Sequence, residues 1–263
     1  MFQIGLFLSL LIGIVLGLVG GGGSILTVPL VNQFFGTSML IATTYSLFVV
    51  AIASGIGVLQ RLPKHQIDFK RGIIFAVPSM ITAFLIRGFV MPMFPISLAI
   101  SDWVLSRDVL ITILLIVVMF YTAIRTLVGR KKEQPAEAVS TPVGLIVAFG
   151  ILTGLLSGFI GAGGGFIIVP ILLRMGLDMK KAVGTSMLII CIQSAVALMG
   201  DFLNEDVRAS GAIDWTILLS ITGVTVVGVF LGTHMQNYFS AKWLRKFFSL
   251  VLIGVAIGLL WKL

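Results

Sequence analysis

The chain alternates between long apolar runs and short polar stretches. Eight runs of 17 to 23 residues cover 2–19, 41–59, 69–91, 109–128, 142–158, 182–200, 215–235 and 243–261. Two shorter apolar segments cover 24–35 and 165–177. Because about 20 apolar residues cross a bilayer as a helix, this pattern predicts an all-α membrane protein.

The second half of the chain repeats the first. Superposing residues 17–30 on 158–171, at an offset of 141, pairs six identical residues. These identities are Gly17/Gly158, Gly20/Gly161, Gly22/Gly163, Gly23/Gly164, Val28/Val169 and Pro29/Pro170. Ile-Asp-aromatic also occurs twice, at 67–69 and 213–215. We therefore predict a first transmembrane repeat over 1–128, a cytoplasmic linker over 129–141 and a second repeat over 142–263.

Composition supports a membrane location. Hydrophobic residues make up 58% of the 263 residues and charged residues 11%, against roughly 25% charged residues in soluble domains. The net charge of +8 comes from basic residues in the loops between apolar runs, so we interpret it as a topology signal and not as a nucleic-acid surface. A single cysteine, Cys191, excludes an intrachain disulfide and a cysteine-rich metal site.

The distribution of basic residues favours an inverted duplication. If the short segments after the glycine runs cross the membrane, each half has five passes, and 14 basic residues face the cytoplasm against 4 outside. If those segments dip in and return, the best division is 10 to 8. Segment 24–35 has 12 residues and covers only about 18 Å of a core of roughly 30 Å. We therefore expect two inverted repeats of about five segments each, with broken, glycine-rich half-helices near the midplane.

The glycine runs are candidate anion sites. Unpaired backbone N–H groups inside a membrane are tolerated only where protein or a water-filled cavity receives them. A helix N-terminus carries roughly half a positive charge, so two that converge can bind an anion. The candidate residues are Gly22, Gly23, Ser24, Gly163, Gly164 and Gly165. The alternative is that these glycines only allow close helix packing.

The same residues resemble a known family. The pattern G-x-x-G-x-G-G-x-x-x-x-V-P occurs twice, and Ala182-Val183-Gly184-Thr185-Ser186 follows its second copy. Together with the repeated Ile-Asp-aromatic, it is similar to the TauE/SafE family of sulfite exporters over nearly the whole chain. The resemblance implies a plasma-membrane transporter of small sulfur-containing anions, such as sulfite, thiosulfate or sulfonates, that needs no cofactor. The first half departs from the pattern at 42–46, which leaves the substrate open.

Five further residues are candidates for binding the anion. Hydroxyl groups of Thr44, Thr185 and Ser186 follow each glycine run by one helix; they either face one cavity or bond to their own helix. Gln193 either donates from its amide or joins helices. Arg87 comes about 27 Å along its helix, near the outer boundary, where it either snorkels or recruits anions.

Other classes of function lack their residues. The acidic residues lie at helix ends or in loops, so a midplane proton relay is unsupported. His65 and His234 are placed at cytoplasmic ends without a metal partner, and the sequence has no GxxxxGK[ST] motif for ATP. An enzyme is therefore disfavoured. We predict a secondary transporter, an exporter of a small sulfur-containing anion; the alternatives are a passive anion channel or a carrier of another small organic anion, and the oligomeric state stays open.

Overall fold

The computed structural model describes residues 2–93, 97–100, 103–128, 142–204, 207, 213–236, 238 and 241–261. Nearly all of them are helical. Within these ranges, seven helices are long and apolar enough to cross a membrane by length and composition. The linker predicted at 129–141 lies outside the described residues.

In the described residues of the first half, five helices of 12 or more residues and one short hairpin are the main elements. Its elements are α1 Phe2–Val19, a 3-10 turn Gly21–Gly23, α2 Ser24–Phe35, α3 Met39–Arg61, α4 Phe69–Leu85 with its continuation to Met93, strands β1 Ser97–Ile100 and β2 Trp103–Ser106, and α5 Arg107–Val128. The strands pair in antiparallel register, with Ser97 opposite Ser106. The outer loop predicted here therefore contains a short hairpin of eight paired residues, and the described chain is nearly all helical, as predicted.

Five long or short apolar helices lie in the described residues of the second half, in the same order. These are α6 Val143–Ile160, α7 Gly165–Arg174, α8 Met179–Leu203, α9 Trp215–Met235 and α10 Ala241–Leu260. The two shorter helices, α2 with 12 residues and α7 with 10, each follow a glycine run directly.

Aspartates begin the helices that the sequence marked with Ile-Asp-aromatic. The carboxylate of Asp68 accepts from Arg71 N at 3.0 Å, and that of Asp214 accepts from Thr216 N at 2.9 Å. Each carboxylate satisfies a backbone N–H that has no partner within its helix. The repeated motif is therefore an N-cap in both halves.

Small residues allow two pairs of helices to pack closely. A Cβ atom built on Gly13 of α1 would overlap the backbone of Thr225 in α9. Likewise, a Cβ atom on Gly154 of α6 would overlap the backbone of Ser79 in α4. Within each pair the residue numbers rise together: Ser9 O accepts from Thr225, and Leu18 O accepts from Gln236 further along both helices. Helices α1 and α9 are thus parallel. Helices α4 and α6 are also parallel, because Gly150 lies against Phe75 and Gly158 lies against Ile86.

Helices α3 and α8 run antiparallel to each other. Arg61, at the end of α3, donates to Met187 near the start of α8. Leu47, early in α3, shares a small apolar cluster with Ala197, late in α8. Helix α2 likewise turns back along α1, because Gly23 lies against Leu16 while Gly5 lies against Phe35.

The outer surface of the bundle is apolar. Phe7 of α1 is 61% exposed and Val117 of α5 is 58% exposed, as are large apolar residues on the other long helices. A surface of this kind matches hydrocarbon and not water. Polar side chains, in contrast, are buried between the helices.

Candidate functional site

The two glycine runs touch each other at the starts of the short helices. A Cβ atom built on Gly21 would overlap the Cα atom of Gly165, and one built on Gly165 would overlap that of Gly21. The side chain of Ile190 in α8 lies against both positions. Any residue other than glycine at either position would therefore push the two backbones apart.

The runs differ in backbone conformation. In the first run only Gly20 has a positive φ, 78°, and Gly21–Gly23 form a 3-10 turn. In the second run Gly161, Gly163 and Gly164 have φ values of 70°, 63° and 65°. Such values favour glycine, because a Cβ atom strains the left-handed region.

Helix α7 presents N–H groups without helical acceptors at this contact. The first N–H groups of any helix lack a partner within it. At α7, bonding begins with Ile167 N, which donates to Gly164 O at 3.0 Å. At α2, the buried Ser24 hydroxyl donates to Gly21 O at 2.6 Å, so its Oγ–H is already used within its own turn.

A cluster of polar side chains lies beside the second run. Gln193 is fully buried. Its Oε1 accepts from Ser79 Oγ at 2.6 Å, and its Nε2 donates to Thr153 O at 3.4 Å. The same Nε2 would lie 3.6 Å from a Cβ atom built on Gly164. The amide of Gln193 is therefore close to the start of α7, and its hydrogen bonds also join α8 to α4 and α6.

The other hydroxyl candidates do not gather at one place. Thr44 donates to Leu40 O at 3.2 Å in its own helix, and Ser186 donates to Val183 O at 2.8 Å. Thr185 accepts from Asp68 N at 2.9 Å, at the start of α4. Ser186 Oγ does approach the first run, where a Cβ atom on Gly20 would lie 2.6 Å away.

Arg87 is buried and paired, which corrects the snorkelling alternative. Its side chain has no exposed surface, and its Nη1 lies 3.1 Å from Asp201 Oδ1. The same Nη1 donates to Thr43 Oγ1 at 3.0 Å. Its Nη2 would lie 2.5 Å from a Cβ atom built on Gly161. Arg87 therefore lies against the beginning of the second glycine run, and Asp201, read from sequence as a helix-end residue, is its buried counter-ion.

Arg61 is also buried, although the sequence assigned it to a basic loop. It is the last residue of α3 and has no exposed surface. Its Nη2 donates to Gly17 O at 2.7 Å and to Gln236 Oε1 at 3.1 Å, and its Nη1 donates to Thr233 Oγ1 at 3.2 Å. It thereby joins the C-terminal ends of α1, α3 and α9, whose carbonyl groups favour a cation.

Sequence reasoning did not identify Ser79, Thr153 or Asp201 as residues of interest. Ser79 and Thr153 each come ten residues after the first residue of their helix, which is a depth of about 15 Å. This equal distance from the two helix starts can be read from the sequence, and it is the signal by which Ser79 and Thr153 could have been identified as a pair. Asp201 gave no such signal, because it lies two residues from the end of α8. Among the described residues, no group of three or more His, Cys, Asp or Glu side chains could hold a metal ion.

Comparisons with known proteins agree over almost the full length. The family model described as "Sulfite exporter TauE/SafE" matches residues 5–259. A "Probable membrane transporter protein" of Xylella fastidiosa (strain 9a5c) is 31% identical over 259 residues, covering 96% of this chain and 92% of the relative. The "Probable membrane transporter protein YunE" of Bacillus subtilis is 27% identical, covering 99% and 98%. No solved structure matches.

Proposed function

Because the chain belongs to the TauE/SafE family of membrane transporters, matched over residues 5–259, we propose that it is a secondary transporter that exports a small sulfur-containing anion. Membership of this family identifies a multi-pass membrane transporter and not an enzyme. The substrate class of sulfite, thiosulfate or sulfonate, the outward direction, the plasma membrane as its location and the absence of a cofactor are part of the proposal.

The proposed architecture is two inverted repeats, 1–128 and 142–263, related by a two-fold axis in the membrane plane. In that arrangement helix n of one half corresponds to helix n + 5 of the other. The packing of α1 on α9 then has its counterpart in α6 on α4, and both pairs occur. Helices α3 and α8 would be related to each other directly. Their antiparallel contact supports an axis in the membrane plane, because an axis along the normal would make them parallel.

The helix directions agree with the distribution of charge. Exposed Lys64 follows the end of α3, and exposed Lys181 lies at the start of α8. Because these helices are antiparallel, both lysines lie at the same end of the bundle. That end is the cytoplasmic one by the positive-inside rule, which gives the 14-to-4 division of basic residues.

The contact between Gly21 and Gly165 is the observation that carries the proposed mechanism. Helix α2 starts beside the C-terminal half of α1, since Gly23 lies against Ile12 and Leu16, and α7 starts opposite it. Each N-terminus contributes roughly half a positive charge. The two together offer a small anion about one unit of compensating charge at a place that glycine keeps free of side chains. Gly22, Gly23, Ser24, Gly163, Gly164 and Gly165 are its proposed backbone contacts.

Thr44, Thr185, Ser186, Gln193 and Arg87 are proposed to act around this site in different ways. Gln193 is close enough to donate to the anion. Arg87 approaches the second run at Gly161 and would raise the local anion concentration. Ser186 approaches the first run at Gly20. Thr44 and Thr185 lie on either side of the site, about 24 Å apart along the paired helices, where each would contact an anion only on its way in or out.

The proposal is tested in proteoliposomes loaded with sulfite, thiosulfate, sulfate or methanesulfonate. A carrier gives saturable flux and counterflow, whereas flux linear in concentration would indicate a passive channel. Gly163→Val should abolish transport, because Val meets Ile190, Ser194 and Val50 within 3.1 Å and cannot easily adopt a φ of 63°. Gly22→Val should do the same in the first run.

Misfolding must be separated from loss of the site. Gly223→Val is the matched control, because a Cβ atom there meets no atom within 4 Å. Each variant is purified in detergent as a single species, and stabilisation by the anion is measured as a rise in melting temperature. Wild type and Gly223→Val should be stabilised, and the other two should not. Equal stabilisation of Gly163→Val would place the site elsewhere.

A further inference from the structure

A buried hydroxyl group without a protein partner lies beside the second glycine run. Ser194 has no exposed surface, and its Oγ makes no hydrogen bond. This Oγ would lie 3.1 Å from a Cβ atom built on Gly163. Since nearly all buried polar atoms are hydrogen-bonded, an unpaired hydroxyl beside the second glycine run is a candidate contact for a ligand.

Ser194 shares its unpaired state with Ser46 and Ser157, whose buried hydroxyls also make no hydrogen bond, whereas several other buried serines bond to their own helix. Ser9 donates to Gly5 O at 2.8 Å, Ser54 donates to Val50 O and Ser186 donates to Val183 O at 2.8 Å. A helical serine in an apolar setting ordinarily uses the carbonyl of the preceding turn in this way. Ser194 leaves that bond unmade and keeps its hydroxyl beside Gly163.

The neighbouring Gln193 has a second available donor. Thr153 O is a carbonyl oxygen that only accepts, so the nitrogen Nε2 of Gln193 must face it. Ser79 Oγ holds the other end of the amide by donating to Oε1 at 2.6 Å. Nε2 carries two hydrogens, and its bond to Thr153 uses one. Nε2 itself lies near Gly164, at the start of α7, so its remaining hydrogen is available for a ligand there.

We propose that Ser194 Oγ, Gln193 Nε2 and the first N–H groups of α7 bind the oxygen atoms of one small oxyanion, and that Ser79 positions Gln193 as a donor. This inference rests on the proposed function and narrows it to the second repeat. The equivalents of Gln193 and Ser194 at the offset of 141 are Ile52 and Ala53, which have no donor. The first glycine run then closes the site from the other side with its backbone alone.

Binding is measured on purified protein as the Kd for sulfite, thiosulfate, sulfate and methanesulfonate, from calorimetry and ligand-dependent melting. Ser194→Ala and Gln193→Leu should each raise the Kd of the preferred anion roughly ten- to hundredfold, the range for a lost hydrogen bond to a charged group. Because the Ser194 hydroxyl has no protein partner, Ser194→Ala should leave the melting temperature of the ligand-free protein unchanged. Ser54→Ala is the matched control and should keep the wild-type Kd.

The positioning role of Ser79 has its own test. Ser79→Ala should raise the Kd by freeing the Gln193 amide, and Ser79→Thr, which restores the hydroxyl, should recover most of the affinity. Thr225 is the equivalent of Ser79 at the offset of 146, and Thr225→Ala should not change the Kd.

The outcomes separate this inference from the function on which it rests. If none of the four anions binds wild type, the proposed function and this inference both fail. If wild type binds an anion and Ser194→Ala, Gln193→Leu and Ser79→Ala bind it equally well, the transporter proposal stands and the subsite is overturned. A loss of affinity in the Ser54→Ala or Thr225→Ala control of the same size would also overturn it.

Discussion

The buried pair of Arg87 and Asp201 provides a quantitative test of how α4 and α8 are held together. The side chains are 0% and 1% exposed, and their closest atoms are 3.1 Å apart. Removing one member of a fully buried pair leaves the other charge uncompensated, at a cost of about 3–5 kcal/mol. At about 2–4 °C per kcal/mol for a protein of this size, Arg87→Gln and Asp201→Asn should each lower the melting temperature by roughly 6–20 °C.

The double variant distinguishes a pair from two independent residues. Arg87→Gln with Asp201→Asn places two neutral amides in contact and leaves no buried charge. It should therefore be more stable than the sum of the single effects predicts, by about 1–3 kcal/mol. Melting of each variant in the same detergent, followed by intrinsic fluorescence, gives the three differences. Single shifts below about 2 °C, or strict additivity, would refute the assignment of a buried ion pair.

Transport by the same variants then separates structure from anion recruitment. If Arg87 only holds the helices together, the double variant should regain transport along with stability. If Arg87 also attracts the anion, stability should return while the apparent KM stays high, and Arg87→Lys, which keeps the charge, should retain part of the activity. A double variant with wild-type KM would assign Arg87 to structure alone.

Three further outcomes follow from the fold. In a background with Cys191→Ser, a cysteine at Lys181 should resist an impermeant thiol reagent added outside, and one at Thr216 should react; the reverse labelling would exclude the proposed orientation. Gly21→Ala should prevent recovery of a single species on size exclusion, because its Cβ atom overlaps the Gly165 backbone, whereas Gly144→Ala has open space and should elute like wild type. Asp214→Ala should lower stability by about 1 kcal/mol through loss of the α9 N-cap, measured by melting; no change would show that the cap is dispensable.

The helices could be predicted from the sequence because each is set by local rules. Apolar runs long enough to cross a bilayer became helices, and the glycine runs marked where α2 and α7 begin. The paired strands Ser97–Ile100 and Trp103–Ser106 were not predicted, because in the sequence alignment of the two halves they belong to an insertion of the first half, and the repeat could not indicate their structure.

The burial of charges could not be predicted, because it depends on contacts between distant parts of the chain. Arg61 is followed by Leu62 and Pro63 and looks like the first residue of a loop. Its Nη2 donates to Gly17 in α1, 44 residues away, and to Gln236 just after α9, 175 residues away. Asp201 likewise lies 114 residues from Arg87, and only the packing of α4 against α8 brings them together.

Some equivalent positions of the two halves carry the same residue and others do not. The residue is the same where the backbone or a helix start requires it. Gly20 and Gly161 agree because both turns require a positive φ, and Asp68 and Asp214 agree because both cap a helix. At two positions the second half has a buried polar group where the first half has an apolar residue: Gln193 corresponds to Ile52, which is 39% exposed, and Ser194 to buried Ala53. A polar group buried between helices is costly unless it is paired. The unpaired hydroxyl of Ser194 therefore fits the oxyanion contact proposed above. Because Ile52 and Ala53 offer no equivalent side-chain donor, we propose that these side-chain contacts to the anion come from the second half alone.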